Sequence, residues 1–417
     1  MNVRKTMNAT ALKIINKTKT TFIAVWRFLK NHSYIPVALF FVGLAIYIRV
    51  TNLDHASGDY NQFLKHWMDD IVELGGFASL GTSIGDYSPP YVLILTILSY
   101  FPTPNSAAPF LYPIKYVSIL FDIVMALGVF FLILEALKKQ ERRYPVATLF
   151  GIITLYLPTI FLNSTIWGQA DSIYSAFIVW SLYLFLKNKH LWGMVVYGVA
   201  FAFKLQAIFV LPLLIIMYVI NRPKQLWHFL LIPVVYFIFA IPPLIYGRDF
   251  VNIMTVYFRQ TETYPYMTLN MPNMWEWFPK DRYDMLKDYA VALFALLMAI
   301  AFFYLVVRKI KLRQSHVIDI ALWSILMANF FLPAMHERYL YAADVLAIVY
   351  YAIKKKHFYV PLLINMISLI AYFPFLFGIR EIPFEYVAIV YMTVLVLFTR
   401  QVFRELSNPE TEQIAIA

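Results

Sequence analysis

Twelve apolar runs of fifteen to twenty-eight residues follow one another along this chain. They lie at about 34–50, 110–137, 146–162, 170–187, 190–204, 206–220, 226–246, 289–307, 317–333, 339–353, 357–377 and 382–399. A helix crosses a bilayer in ~20 mostly apolar residues. In hydrocarbon every backbone polar group must be satisfied within the segment, which leaves helices as the building unit. The expectation is an all-α polytopic membrane protein with about twelve transmembrane helices. Composition agrees: 61% of the 417 residues are hydrophobic and only 14% are charged, against ~45–50% and ~25% in soluble chains. There is no Cys, which excludes a disulfide framework, thiolate metal sites and a cysteine nucleophile. Thirteen Gly and no Gly-rich run argue against a phosphate-cradling nucleotide loop.

The run 91–101 is only eleven residues long and follows Pro89-Pro90. It is too short to span and reads as a re-entrant or interfacial helix. Loop charge sets the orientation. Residues 1–33 carry seven Lys/Arg and no acid, and basic clusters stand at KKQERR (138–143), KNK (187–189), RPK (222–224), RKIKLR (308–313) and KKK (354–356). With twelve spans all fall on one side. The opposite loops include 51–88, which has one Lys against six acids. Counting 91–101 as a span would throw KKQERR to the other side. The expected organisation is a cytoplasmic basic amphipathic segment over 1–33, a membrane domain over 34–400 with outer loops 51–109 and 247–288, and a cytoplasmic tail over 401–417. The first thirty residues lack the apolar core and cleavage site of a signal peptide. Both termini are expected in the cytoplasm. The net charge of +11 is accounted for by positive-inside bias, so no nucleic-acid partner is expected.

Four polar segments fall on the outer side: SGDYNQFLKHWMDD (57–70), GDYSPPY (85–91), NSTIWGQADSIY (163–174) and PAMHERYLYAAD (333–344). Their convergence above an apolar bundle suits a lipid-linked substrate whose tail stays in the bilayer. Asp59 fits either a helix cap or a base, and Phe63, Leu64 and Trp67 form an apolar stripe on a surface helix. Asp86 fits a cap for the helix after Pro89-Pro90, or a binding role. Trp167 fits an interfacial belt; Gln169 and Asp171 fit a headgroup contact, with Asp171 alternatively capping the next span. Lys204 lies inside an apolar run, where a charge costs roughly 2.5–3.5 kcal/mol on the lowest scale. It suits a lipid phosphate, an acid such as Asp171, or snorkelling to the interface. His336, Glu337, Arg338 and Tyr339 open a span. An Arg fork matches phosphate oxygens, while a plain Glu–Arg ion pair is the simpler alternative. The aromatic loop 247–288 is long enough for a lid and equally suits an interfacial helix.

SGDYNQFLKHW followed by GDYSPPY resembles the first outer loop of GT-C glycosyltransferases, in particular the glucosyltransferases that extend lipid-linked oligosaccharides. Those carry a GD-aromatic-x-x-x-x-HW run and then a DYPP run. MHERY resembles their HEK segment, with Arg338 in place of Lys. WGQAD, FKLQAIFVLP and MHERY together look like bacterial relatives of the second mannosyltransferase of GPI-anchor assembly. The resemblance covers about 50–345. It implies a GT-C-like fold and an extracytoplasmic active site, and the absence of cysteine and of a targeting peptide fits a bacterial plasma membrane. The resemblance also implies inverting transfer of a hexose, mannosyl or glucosyl, from a polyprenyl-phosphate donor to a hydroxyl of a glycan, lipid-linked or polymer acceptor. Asp59 would be the general base, and Lys204, His336 and Arg338 would bind the donor phosphate. Asp86, Tyr87, Trp167, Gln169, Asp171, Gln206, Glu337 and Tyr339 would bind or position substrate. No metal is required, although the acids are compatible with a divalent cation. The competing class is a secondary transporter or flippase of a lipid-linked or small polar substrate. Such proteins hold their charges at the midplane between repeats, and no inverted repeat is evident here.

Overall fold

The computed structural model describes residues 34–279 and 282–407. The amphipathic helix expected within 1–33, and the tail beyond 407, lie outside the described residues. The chain forms two units, 1–47 and 48–417. The first helix, α1 (Tyr34–Val50), runs from one into the other, and all that follows concerns the second unit.

The first outer loop is built from short pieces, as its mixed composition requires. A π-helical turn (Tyr60–Leu64) runs into α2 (Lys65–Glu73), and a 3-10 turn (Gly76–Gly81) precedes α3 (Pro89–Leu98). The buried stripe is Tyr60, Leu64, Met68 and Ile71, one position away from the expected Phe63/Leu64/Trp67 stripe. Phe63 and Trp67 are thereby left half-buried. With ten residues at ~1.5 Å each, α3 is about half a bilayer long, which agrees with a helix that does not cross.

The bundle begins with α4 (Leu111–Ala136), followed by α5 (Arg143–Tyr156) and α6 (Pro158–Phe161). Pro158 lacks the N–H that would continue α5, so the axis bends by 51° there. The helix then carries on as a π-helical turn, Leu162–Trp167. The run 146–162 is thus one broken helix reaching Trp167, and the first residues of the polar segment 163–174 belong to it. Next come α7 (Asp171–Leu186), α8 (His190–Phe203), α9 (Leu211–Asn221) and α10 (Leu231–Ile245). The second half holds α11 (Phe250–Met254), α12 (Val256–Thr263), α13 (Tyr283–Val307), α14 (Val317–Phe331), α15 (Tyr341–Lys354), α16 (Tyr359–Phe377) and α17 (Phe384–Ser407). Residues 401–407, assigned to a tail by hydropathy, continue α17. There Lys354 Nζ holds Glu405 at 2.6 Å and Asp319 at 2.7 Å. The strand content among the described residues is one parallel pair, β1 (Thr268–Leu269) with β2 (Met335–His336).

Five helical segments are long and apolar enough to cross a membrane: α4, Pro223–Ile245, α13, α16 and α17. The bent pair ending at Trp167 makes a sixth. The other apolar helices are shorter. All of α14 from Val317 to Phe330, and most of α15, are buried on every side, as expected of helices apolar all round. At the other extreme, α13 exposes Leu296, Ile300, Phe303 and Val307 at helical spacing. An apolar face of this kind on the outside of a helical protein suits lipid. Inside, Arg49 Nε meets Asp122 at 3.1 Å, its Nη2 donates to the Leu155 carbonyl, and Ser164 and Tyr341 hydroxyls donate to the same carboxylate. This network ties the end of α1 to α4, to the helix broken at Pro158 and to α15.

The helices α8 and α9 form a hairpin. The Tyr218 hydroxyl donates to the His190 carbonyl at its open end, and Lys204, in an extended conformation at φ −154°, ψ 134°, forms its tip. Contacts between loops fall into two sets. At one end Gln314 reaches Leu186, Asn221 reaches Leu312 and Lys355 reaches Gln140. The other end gathers the polar segments described next.

Candidate functional site

Ser57 starts the site. Its Oγ accepts from the Tyr60 N–H at 3.2 Å and donates to the Trp167 carbonyl at 2.8 Å. Ser57 therefore fills the capping role considered for Asp59, whose side chain makes no cap bond. The Asp59 carboxylate faces inward instead. Its Oδ2 accepts from Trp167 Nε1 at 2.9 Å and from Gln169 Nε2. Among the described residues no donor reaches Oδ1. The two donors flank Gly168, which ends the π-helical turn at φ +78°. That left-handed conformation is inexpensive only for glycine. It folds the chain back so that the Gln169 N–H reaches the Asn163 carbonyl and both side chains meet one carboxylate.

Trp167 is fully buried, so it is no interfacial belt residue. Phe375 stacks on it with centroids 4.7 Å apart, and the Arg338 guanidinium lies over it at 5.4 Å, a cation–π arrangement. Arg338 sits among three carboxylates: Glu337 at 3.1 Å, Asp171 at 3.6 Å and Asp59 at 3.7 Å. Its Nε is buried and has no hydrogen-bond partner among the described residues. Burial alone would make this guanidinium easier to deprotonate, but Glu337, Asp59 and Asp171 outweigh it and shift its pKa upward.

Asp171 opens α7 and is fully buried. It does not cap by a side-chain bond. One oxygen takes the Lys204 ammonium and the other accepts from Asn163 Nδ2 at 2.9 Å. The cation at the hairpin tip is therefore already paired, with an acid rather than with solvent at an interface.

His336 lies on β2, whose backbone is fixed by β1. Its ring packs edge-on against Tyr264 and tilted against Tyr339. Burial, then Arg338 and Lys204, push its pKa well down, so the imidazole is neutral near neutral pH. Burial raises Glu337 against the opposing pull of Arg338. Asp86 is exposed, and Ser88 rather than Asp86 precedes α3. The Gln260 amide from α12 donates to the Asp86 carbonyl, which lays the 247–288 loop across the site. The Tyr87 hydroxyl donates to Gln169 Oε1 at 3.3 Å.

These groups surround a cavity of about 320 Å³, within the ~300–1,000 Å³ of small-molecule sites. Of the twelve residues singled out by sequence, ten line it: Asp59, Asp86, Tyr87, Gln169, Lys204, Gln206, His336, Glu337, Arg338 and Tyr339. Trp167 and Asp171 stand behind the wall and act through Asp59, Lys204 and Arg338. The sequence reading missed Gln260, Tyr264, Asn270 and Phe375 on the wall and Asn163 behind it. Asn163 lay inside a segment already noted for its polarity. Phe375 gave no signal, being one more aromatic in an apolar run. Among the described residues no group of three or more His, Asp or Glu gathers in a metal-ligating arrangement.

Fold and site together define an all-α protein of membrane type with a polar, charge-lined cavity at one end of its helices. Compared with models of known protein families the chain matches none, and no curated protein is significantly similar to it in sequence.

Proposed function

We propose that this chain is a polytopic membrane glycosyltransferase. It moves a hexose, with inversion, from a polyprenyl-phosphate donor to an acceptor hydroxyl. The observation that carries the reading is the Asp59 carboxylate. One oxygen is held by two N–H donors, the other has none among the described residues, and the group lines a cavity beside Arg338 and His336.

The chemistry balances as a single displacement. Asp59 Oδ1 accepts the acceptor's hydroxyl proton as that oxygen bonds to C1. The bond from C1 to the phosphate oxygen breaks, and polyprenyl phosphate departs with the electron pair. Its charge meets the Arg338 guanidinium, whose Nε lies 3.6 Å from Asp171 and makes no hydrogen bond among the described residues, and the neutral His336 imidazole as a hydrogen-bond donor. Lys204 adds positive potential while bound to Asp171. Trp167 and Gln169 fix the base, and the loop carrying Gln260 and Tyr264 restricts water. No step calls for a metal ligand set.

In this reading the twelve passes are α1, α4, the helix broken at Pro158, α7, α8, α9, α10, α13, α14, α15, α16 and α17. The basic loops are then cytoplasmic with both termini, and the Asp59 cavity faces outward at a plasma membrane. Among the shorter helices, α7, α14 and α15 are largely buried inside the bundle.

The test uses purified protein with short-chain polyprenyl-phospho-mannose and -glucose and a glycan acceptor, read by release of polyprenyl phosphate. Asp59→Asn is expected to lower turnover at least ~100-fold with an unchanged elution profile and melting temperature. Near-normal turnover by the Asn variant would sink the base assignment. Movement of labelled lipid across liposomes without polyprenyl phosphate release would favour the transporter or flippase.

A further inference from the structure

At the far end of the α8–α9 hairpin from Lys204, ~20 Å away for a fourteen-residue helix, three basic loops meet. These are the turns around KNK (187–189), RPK (222–224) and RKIKLR (308–313). Positive-inside bias asks only that such charges share a side; it does not ask them to converge. Here Arg222, Lys311 and Arg313, from two of these loops, line a cavity of about 500 Å³, and the 187–189 turn contributes Asn188 to it. Its rim carries Asn188, Arg222, Lys311, Arg313 and Gln314, and no acid is among the residues that line it.

The rim is fixed in place. Asn221 clamps the 308–313 loop reciprocally, donating to the Leu312 carbonyl at 2.6 Å and accepting from its N–H at 3.2 Å. Gln314 donates to the Leu186 carbonyl at 2.9 Å. The floor holds Phe185, Met217 and His190. His190 is only 7% exposed, and among the described residues neither ring nitrogen has a hydrogen-bond partner. A neutral imidazole always carries one N–H donor and one acceptor, and leaving both unmet in the interior is costly. His190 is also the first residue of α8, where the helix dipole favours negative charge. Buried donor, basic rim and helix start all ask for an anion with several oxygens.

We propose that this cavity binds the phosphate group of an anionic ligand. The chemistry is shared by an anionic phospholipid headgroup and a free phosphate compound. His190 and Asn188 donate to the oxygens while Arg222, Lys311 and Arg313 balance the charge. The apolar floor accepts carbon attached to the phosphate. The proposal does not rest on the glycosyl-transfer reading and concerns the opposite end of the molecule.

The experiment measures binding of fluorescent phosphatidylglycerol to the full-length protein in neutral detergent. Fluorescent phosphatidylcholine is the control and inorganic pyrophosphate the competitor. Wild type is expected to prefer phosphatidylglycerol, or to bind pyrophosphate. The double variant Arg222→Gln/Lys311→Gln is expected to lose affinity about tenfold or more, as loss of charge-assisted contacts implies. Lys65→Gln, at an exposed position on α2, is expected to bind as wild type. Displacement of the lipid by pyrophosphate assigns a free phosphate as sufficient ligand; no displacement assigns the headgroup. Equal affinity in wild type and the double variant overturns the proposal, as does loss of binding in Lys65→Gln alone or no binding of either probe. Should the double variant fail to fold, Lys311→Glu at an exposed position gives the same reading.

Discussion

A carboxylate that accepts from an indole and an amide, and lies 3.7 Å from a guanidinium, is held in one orientation. The same surroundings set the protonation of its neighbours. His336 carries a strongly lowered pKa because burial, Arg338 and Lys204 all oppose its charge. The sign follows from linkage. Below the unfolded value of ~6.5 the unfolded chain takes up a proton that the folded site refuses. This imidazole therefore withdraws stability as pH falls through that value, and has no effect well above it. His336→Gln is expected to flatten the acid side of the melting-temperature profile in detergent between about pH 5 and pH 7. His316, pushed down to about 4 by burial and Lys354, keeps its own share, so a slope persists. An unchanged acid-side slope in the variant would show that His336 titrates normally. Glu337 works in the opposite sense. Burial raises its pKa, so its contribution is complete at low pH and is lost as pH rises through the folded value.

At the scale of elements, the α8–α9 hairpin shows what a sequence can and cannot disclose. A lysine in the middle of an apolar stretch announced a break, and Asp171 was among the partners considered for it. That Asn163 and Arg338 share the same carboxylate was not legible, because those contacts link residues far apart in the chain. Both π-helical turns were likewise invisible to hydropathy. Each adds a residue to a helical turn and so re-aims side chains next to the site: one follows Asp59, the other ends at Trp167. The surface helix was foreseen, but with its stripe one position off, since Phe63 and Trp67 are reserved for the cavity wall. The sequence marks 167–171 as a tight turn between two spans but gives Gly168 no role of its own, although its positive φ brings Trp167 and Gln169 onto one carboxylate. The hairpin tip makes a quantitative prediction. Removing one member of a buried ion pair strands the other, at ~3–5 kcal/mol. Lys204→Met and Asp171→Leu should each cost about that much, and the double variant should cost clearly less than their sum. Additive losses in chemical denaturation would show that the two residues do not depend on each other. Gly168→Ala should cost ~1–2 kcal/mol from the left-handed backbone alone.

For the molecule as a whole, the apolar runs made an all-α membrane protein legible at once, because a bilayer leaves the backbone so few choices. The separation of its loops into a basic end and an acid-bearing end was legible from loop charge. The number of passes is harder to read, since buried helices such as α14 and α15 need not match the bilayer's thickness when other helices surround them. A labelling experiment settles the parity, and the absence of cysteine makes the native chain its own background. Asp70 on α2 and Lys311 in the basic loop are both exposed. In the twelve-pass arrangement they lie on opposite sides of the membrane. Asp70→Cys in intact cells should react with a membrane-impermeant maleimide, whereas Lys311→Cys should react only after the membrane is opened. If both react from the same side, an even number of crossings lies between them instead of the seven proposed. In that case the Asp59 cavity and the phosphate cavity cannot face opposite compartments. If each reacts from its predicted side, the acids around Asp59 meet their substrate outside the cell, and the cations around His190 meet theirs within.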